Sequence, residues 1–190
     1  MRTFVKELTN PGVTLTAYLP AASDEMPNYK TRPAILVIPG GAYMMCSDRE
    51  AEPIALSFLA KGYAAFVLRY SVGKGAAKFP RPLNDAEEAM ELIIANAEEW
   101  GVEPEHIAAI GFSAGGHLAA HYSTAYDCPE VRALFPDSKP VQASILCYPV
   151  ITADPAWAHL GSIDALTGKT ERTPEEIQKF SCDKLVTEHD

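Results

Sequence analysis

The sequence predicts an α/β fold: a doubly wound, mostly parallel sheet preceded by an antiparallel hairpin. Three observations predict it. Four short, unbroken apolar runs punctuate the chain, AILVI at 34–38, AAFVL at 64–68, IAAI at 107–110 and ASILC at 143–147, as expected of strands covered by helices on both faces. Segments with helical spacing lie between them, and this alternation is what right-handed crossovers wind into an open parallel sheet. The first twenty residues instead alternate polar and apolar side chains, the pattern of half-buried antiparallel strands.

Taken in order, residues 3–19 carry Asn10-Pro11-Gly12 at their middle and read as a hairpin at the sheet edge. The first parallel strand, 34–38, runs into Pro39-Gly40-Gly41-Ala42-Tyr43, where glycines let a backbone loop approach a ligand closely. A helix over 49–61, ended by Gly62, leads to the strand at 64–68. After the Gly- and Pro-rich loop 71–82 a helix is predicted over 83–100, because Leu83, Ala86, Met90, Ile93, Ala97 and Trp100 recur at spacings of three and four. Asp85 with Glu88 predicts a capping box at its start, and Gly101 stands where a C-terminal glycine belongs. The strand at 143–147 is apolar on both faces and so is expected inside the sheet with a neighbour on each side. Thr173-Pro174-Glu175-Glu176 predicts the start of a late helix.

Composition narrows the function classes. The chain has 190 residues, 47% hydrophobic and 22% charged, enough for one core and one domain, 1–190, without disulfides. Its net charge of −9 argues against nucleic-acid or anionic-membrane partners, which clustered Lys and Arg would hold. Cys46, Cys128, Cys147 and Cys182 show no CxxC pairing and no histidine at zinc-ligand spacing, so they read as free thiols and no metal site is expected. The N-terminus MRTFVKELTN lacks a signal-peptide apolar region and no run is long enough to cross a bilayer, which predicts a cytoplasmic protein.

The chemistry concentrates at Gly111-Phe112-Ser113-Ala114-Gly115, a GxSxG pattern directly after the strand at 107–110 and directly before the helix-like GHLAAHYS. A serine on a sharp strand-to-helix turn projects its hydroxyl above the sheet edge, and only small neighbours tolerate that strained backbone. Ser113 is therefore the expected nucleophile, with Gly111 and Gly115 supplying the space. The Ala114 N–H, at the helix N-terminus, is an expected oxyanion donor.

PGGAY at 39–43, REAEPIALSFLAKGYAAFVLRYSV at 49–72, PLNDAEEAMELI at 82–93 and GFSAGGHLAA at 111–120 together resemble the acetyl-xylan and feruloyl esterase-like carbohydrate esterases (BD-FAE type) of the α/β-hydrolase fold, over nearly the whole chain. The resemblance implies hydrolysis of small acyl esters, often on sugars, through an acyl-enzyme and without a cofactor. It implies further oxyanion donors at Gly41 N–H and Ala42 N–H; Pro39 stands where the family often has the histidine of its HGGG loop. Tyr43 and 148–152 (YPVIT) fit the same branch, and Tyr43 and His159, the latter with Asp154, are expected substrate contacts.

A serine nucleophile needs a histidine and an acid, in this fold in the order Ser, acid, His. The resemblance places both after two further strands, so the sheet is expected to be truncated after about the sixth strand and the domain incomplete at its C-terminus, with the triad Asp and His outside this chain. His117 and His121, one turn apart on the helix after Ser113, read as packing residues. His189 with Asp183 is a pair within the chain in the right order. Removing a neighbour from the strand at 143–147 would leave an apolar edge, for self-association or a second chain to cover. A peptidase or amidase of the same fold, or a non-catalytic binding or assembly module, are the alternative functions.

Overall fold

The computed structural model describes residues 1–187. Strands β1 (Arg2–Glu7) and β2 (Thr14–Leu19) form the expected hairpin. Its turn is closed by Val13 N–H on Asn10 O (3.1 Å) and Leu8 N–H on Val13 O (3.0 Å). Strands β3 (Arg32–Ile38), β4 (Ala64–Arg69), β5 (Val102–Phe112) and β6 (Ala143–Cys147) are mutually parallel where they pair, and β2 joins β4 antiparallel. The six strands lie in the order β1-β2-β4-β3-β5-β6, which puts the C-terminal ends of β3 and β5 side by side.

Helices cover both faces. Helix α1 (Glu52–Leu59) packs on one, where Ala51 and Ala55 meet Ile35, Val37, Ala65, Val67, Ile110 and Phe112. On the other lie α2 (Arg81–Ala95), α3 (Ala97–Trp100) and α4 (Ala114–Ala125), followed in the chain by α5 (Pro129–Arg132), α6 (Leu160–Thr167) and α7 (Pro174–Lys179). The predicted stripe from Leu83 to Trp100 is buried in this larger core, which Ile163, Leu166 and Phe180 also enter. Helix α7 starts where the sequence predicts, and a capping box closes its start: Glu176 N–H donates to Thr173 Oγ1 (3.3 Å) and Thr173 N–H to Glu176 Oε2 (3.1 Å).

Two expectations need correction. The helix predicted at 49–61 is a 3-10 turn (Asp48–Glu50) and then α1, separated at Ala51. The helix predicted at 83–100 starts at Arg81 and is interrupted at Asn96, and Asp85 with Glu88 does not cap it. Asp85 is wholly buried, its carboxylate accepting Ser71 N–H and Asn10 Nδ2–H, each at 2.7 Å, while Glu88 accepts Thr9 N–H and Oγ1–H at 2.9 Å. Both acids tie α2 to other segments instead. Strand β6, expected to lose one neighbour where the sheet is truncated, pairs only with β5 among the described residues, leaving Ile145 and Leu146 about two-fifths exposed (42% and 38%). Among the described residues no helix is long and apolar enough to cross a membrane.

Candidate active site

Ser113 occupies the one-residue gap between β5 and α4, with φ +51° and ψ −116°. A side chain at positive φ is strained and persists only where its surroundings over-determine it. Here three hydrogen bonds do so. Ser113 N–H donates to Cys147 O at the end of β6 (3.0 Å), and Ser113 O accepts Val150 N–H (3.1 Å) and His117 N–H (3.0 Å). The flanking glycines are demanded by crossing backbones. A Cβ on Gly115 would lie 2.2 Å from Ile38 O and 2.3 Å from Pro39 O, and one on Gly111 would lie 2.2 Å from Gly115 O. The serine is thereby lifted to the sheet's C-terminal edge, where it is half-exposed.

The loop after β3 presses against this turn. A methyl on Gly40 would sit 2.6 Å from Phe112 O and 3.0 Å from Ser113 Cβ. Gly41, Ala42 and Tyr43 follow with φ of +130°, +55° and +59°, and successive residues of this kind turn backbone N–H groups into a concave, anion-favouring surface. Most of the loop's polar groups are engaged. Tyr70 O–H donates to Pro39 O (2.8 Å), Ser47 N–H to Gly40 O (2.8 Å), and Met44 and Met45 N–H to Gly41 O (2.9 and 3.2 Å). Gly40 N–H donates to Glu50 Oε2 (2.8 Å). Among the described residues the amides of Gly41, Ala42 and, at the first turn of α4, Ala114 have no acceptor.

The histidines are engaged elsewhere. His117 is fully buried; its Nε2 lies 2.9 Å from Phe180 O and its Nδ1 2.8 Å from Tyr43 Oη. A carbonyl only accepts, so Nε2 carries the proton and the Tyr43 hydroxyl donates to Nδ1. Burial pushes the His117 pKa down to about 4 and that of its ring neighbour His121 to about 3. These are packing residues, as the sequence predicts. Tyr43 corrects the sequence reading: its side chain is fully buried between Tyr70 and His117, because the positive φ turns the ring into the core, so it offers no surface to a substrate. His159 precedes α6 with Nδ1 2.9 Å from Ser162 Oγ, while Asp154 Oδ1 accepts Ala156 N–H at 3.0 Å; these hydrogen bonds are local to their own segment. Asp183 sits in a 3-10 turn, Cys182–Lys184, and its proposed partner His189 lies outside the described residues. Among the described residues no side chain bonds the Ser113 hydroxyl.

The family model described as BD-FAE matches residues 16–145, a stretch that holds the loop after β3, the elbow and α4. The chain belongs to the BD-FAE family. It is 33% identical over 166 residues to an acetylxylan esterase of Xylanibacter ruminicola, covering 86% of this chain and 32% of that protein. Among solved structures it resembles MGS-M1, an α/β-hydrolase enzyme from a Medee basin deep-sea metagenome library, at 48% identity and a TM-score of 0.70 over 82% of this chain and 61% of that one. It also resembles an acetyl ester-xyloside bifunctional hydrolase of Caldicellulosiruptor lactoaceticus, at 34% identity and a TM-score of 0.78 over 94% and 63%. The fold is that of the α/β hydrolases. This BD-FAE chain spans about a third of the curated relative's length and about three-fifths of each solved structure's.

Two site residues of this BD-FAE chain were not found from the sequence. Glu50 bridges: Oε2 accepts the Gly40 amide while Oε1 accepts the Tyr148 hydroxyl, both at 2.8 Å. Tyr148 is two-thirds exposed, at φ +37°, directly after β6, and its bond to the Glu50 carboxylate raises its hydroxyl pKa. Nothing periodic marks Glu50, since its role is set by contacts 10 and 98 residues away. The four thiols are free, and burial pushes Cys46 up to about 11 and Cys182 to about 12, well away from reactive thiolates.

Proposed function

We propose that this chain carries the nucleophile and the oxyanion-binding amides of a carboxylesterase acting on small acyl esters. Ser113 Oγ attacks the ester carbonyl carbon and gives its proton to a histidine contributed from outside the described residues. The carbonyl oxygen becomes an oxyanion that the amides of Gly41, Ala42 and Ala114 hold. Collapse expels the alcohol and leaves an acyl-Ser113, which water then hydrolyses to the acid. One observation carries this reading: a half-exposed serine at φ +51° packs against a loop whose next two amides have no acceptor. Similarity to an acetylxylan esterase and to an acetyl ester-xyloside hydrolase favours acetyl groups on carbohydrate as the substrate, with feruloyl esters as the bulkier variant.

The test uses the complete polypeptide that bears this sequence. It should hydrolyse p-nitrophenyl acetate and release acetate from acetylated xylo-oligosaccharides, and a fluorophosphonate should label it at Ser113. Ser113→Ala should lose the label and at least about a thousandfold in kcat, the scale seen when a triad member is removed. Undiminished hydrolysis by the Ser113→Ala protein would remove the proposal.

A further inference from the structure

We propose that Glu50 is a positioning residue that fixes the amide loop against the serine through the reach of its carboxyl group; this rests on the esterase reading above. The Gly40 peptide is where the loop meets the elbow. Turning Gly40 N–H toward Glu50 Oε2 (2.8 Å) fixes that peptide plane, and the plane sets where the chain goes next, into the unpaired amides of Gly41 and Ala42. The second oxygen, on Tyr148 O–H at 2.8 Å, reaches the segment that holds Ser113 from the other side, since Cys147 O and Val150 N–H are the serine's own backbone partners. One side chain thus ties both halves of the site. The space between them is too narrow for even a methyl: a Cβ on Gly40 would lie 2.8 Å from Glu50 Oε2 and 3.0 Å from Ser113 Cβ. Glu50 is itself placed by the 3-10 turn Asp48–Glu50, which Ser47 anchors to Gly40 O at 2.8 Å.

What the site requires of residue 50 is length and two hydrogen-bonding atoms. A glutamine satisfies it: the amide oxygen accepts Gly40 N–H and the amide nitrogen donates to the tyrosine oxygen. An aspartate keeps the charge but is one methylene short of bridging both partners. The two substitutions therefore separate reach from charge.

In the complete polypeptide, with p-nitrophenyl acetate as substrate, Glu50→Asp and Glu50→Ala should each lower kcat by about 30-fold or more with KM changed less than about threefold, the pattern of misplaced transition-state donors. Glu50→Gln should recover kcat to within about fivefold of wild type, since both bonds can re-form. A merely structural glutamate would lower activity in step with the folded fraction and would not rank Gln above Asp. If Glu50→Ala does not fold, the Gln and Asp proteins decide the matter alone. Glu50→Asp retaining wild-type kcat, or Glu50→Gln falling as far as Glu50→Asp, overturns the proposal. Failure of the esterase reading looks different: the wild type has no turnover, or Ser113→Ala keeps it.

Discussion

Gly115→Ala adds one methyl group and removes no contact, so the space around it determines the result. The new Cβ would lie 2.2 Å from Ile38 O and 2.3 Å from Pro39 O. Both atoms are backbone at the end of a central strand, and neither can swing aside as a side chain would. Either α4 retreats from the sheet or the end of β3 moves, and overpacking of this kind costs about 3 kcal/mol. Alanine's better helix propensity returns at most about 1 kcal/mol. The net loss of about 2 kcal/mol should lower the urea midpoint by about 1 M, for a denaturant dependence of about 2 kcal/mol per M. Gly161→Ala is the matched control. Gly161 is helical and its Cβ would meet only His159 Cε1 at 3.6 Å, so the same change should stabilise by about 0.5–1 kcal/mol. Equilibrium unfolding of the two variants beside wild type checks both signs. A Gly115→Ala protein that unfolds at or above the wild-type urea concentration would refute the reasoning that crossing backbones dictate the glycine.

Acid should weaken the protein through its buried histidines. His117 and His121 stay neutral in the fold down to about 4 and about 3 but protonate near 6.5 when unfolded, so their stabilisation is complete above 6.5 and is lost as the pH falls from there toward 4, at about 1.4 kcal/mol per pH unit for each. Buried Asp85 and Glu87, whose pKa values burial raises, act in the opposite direction. Comparing wild type with His121→Phe cancels them: the variant should lose about 1.4 kcal/mol per unit of pH slope between pH 6.5 and 4, and coincident slopes would contradict the assignment. Tyr43→Phe strips the donor from His117 Nδ1 inside the core, an orphaned acceptor worth about 1–3 kcal/mol and so a fall of about 3–10 °C in thermal midpoint; an unchanged midpoint would show that the bond contributes nothing. Thr173→Ala opens the capping box of α7 at a cost of about 1 kcal/mol, visible as faster hydrogen exchange at the Glu176 amide, and undisturbed exchange there would contradict it.

Legibility from sequence followed the range of the interactions involved. Strands β3, β4 and the inner half of β5 announced themselves because helices cover both faces, whereas β6 shows an apolar run although Ile145 and Leu146 are exposed at the sheet edge. The stretch of β5 from Glu103 to His106 stayed hidden because it is polar and only partly covered. The elbow was legible because GFSAG is a local necessity, glycines imposed by backbones within a few residues and by the strand alongside. Asp85 and Glu88 misled because a spacing of three is the same whether an acid caps its own helix or reaches another segment, and only burial separates the cases. Tyr43 was placed in the right loop with the wrong orientation. Residue identity located the loop, but the backbone dihedral that turns the ring inward depends on the core waiting for it.

That core links the site to chain far from it. Tyr43 belongs by backbone to the amide loop, whose carbonyl at this residue accepts Gly73 N–H at 2.8 Å. By side chain it belongs to α4 through His117, and the other nitrogen of His117 is fixed on Phe180 O, just past α7. Cys182 adds its thiol to His117 O at 3.8 Å, and Phe79 N–H holds Leu166 O of α6 at 2.8 Å. The segment containing α6 and α7 bonds neither Ser113 nor the unpaired amides. It is nevertheless committed to the site, because a buried imidazole with one accepting and one donating nitrogen is satisfied only while Tyr43 and Phe180 are both in place. Moving either end leaves a polar atom orphaned in the core, at a cost of about 1–3 kcal/mol, and that penalty lets packing on the α4 side hold the amide loop that Glu50 holds from the α1 side.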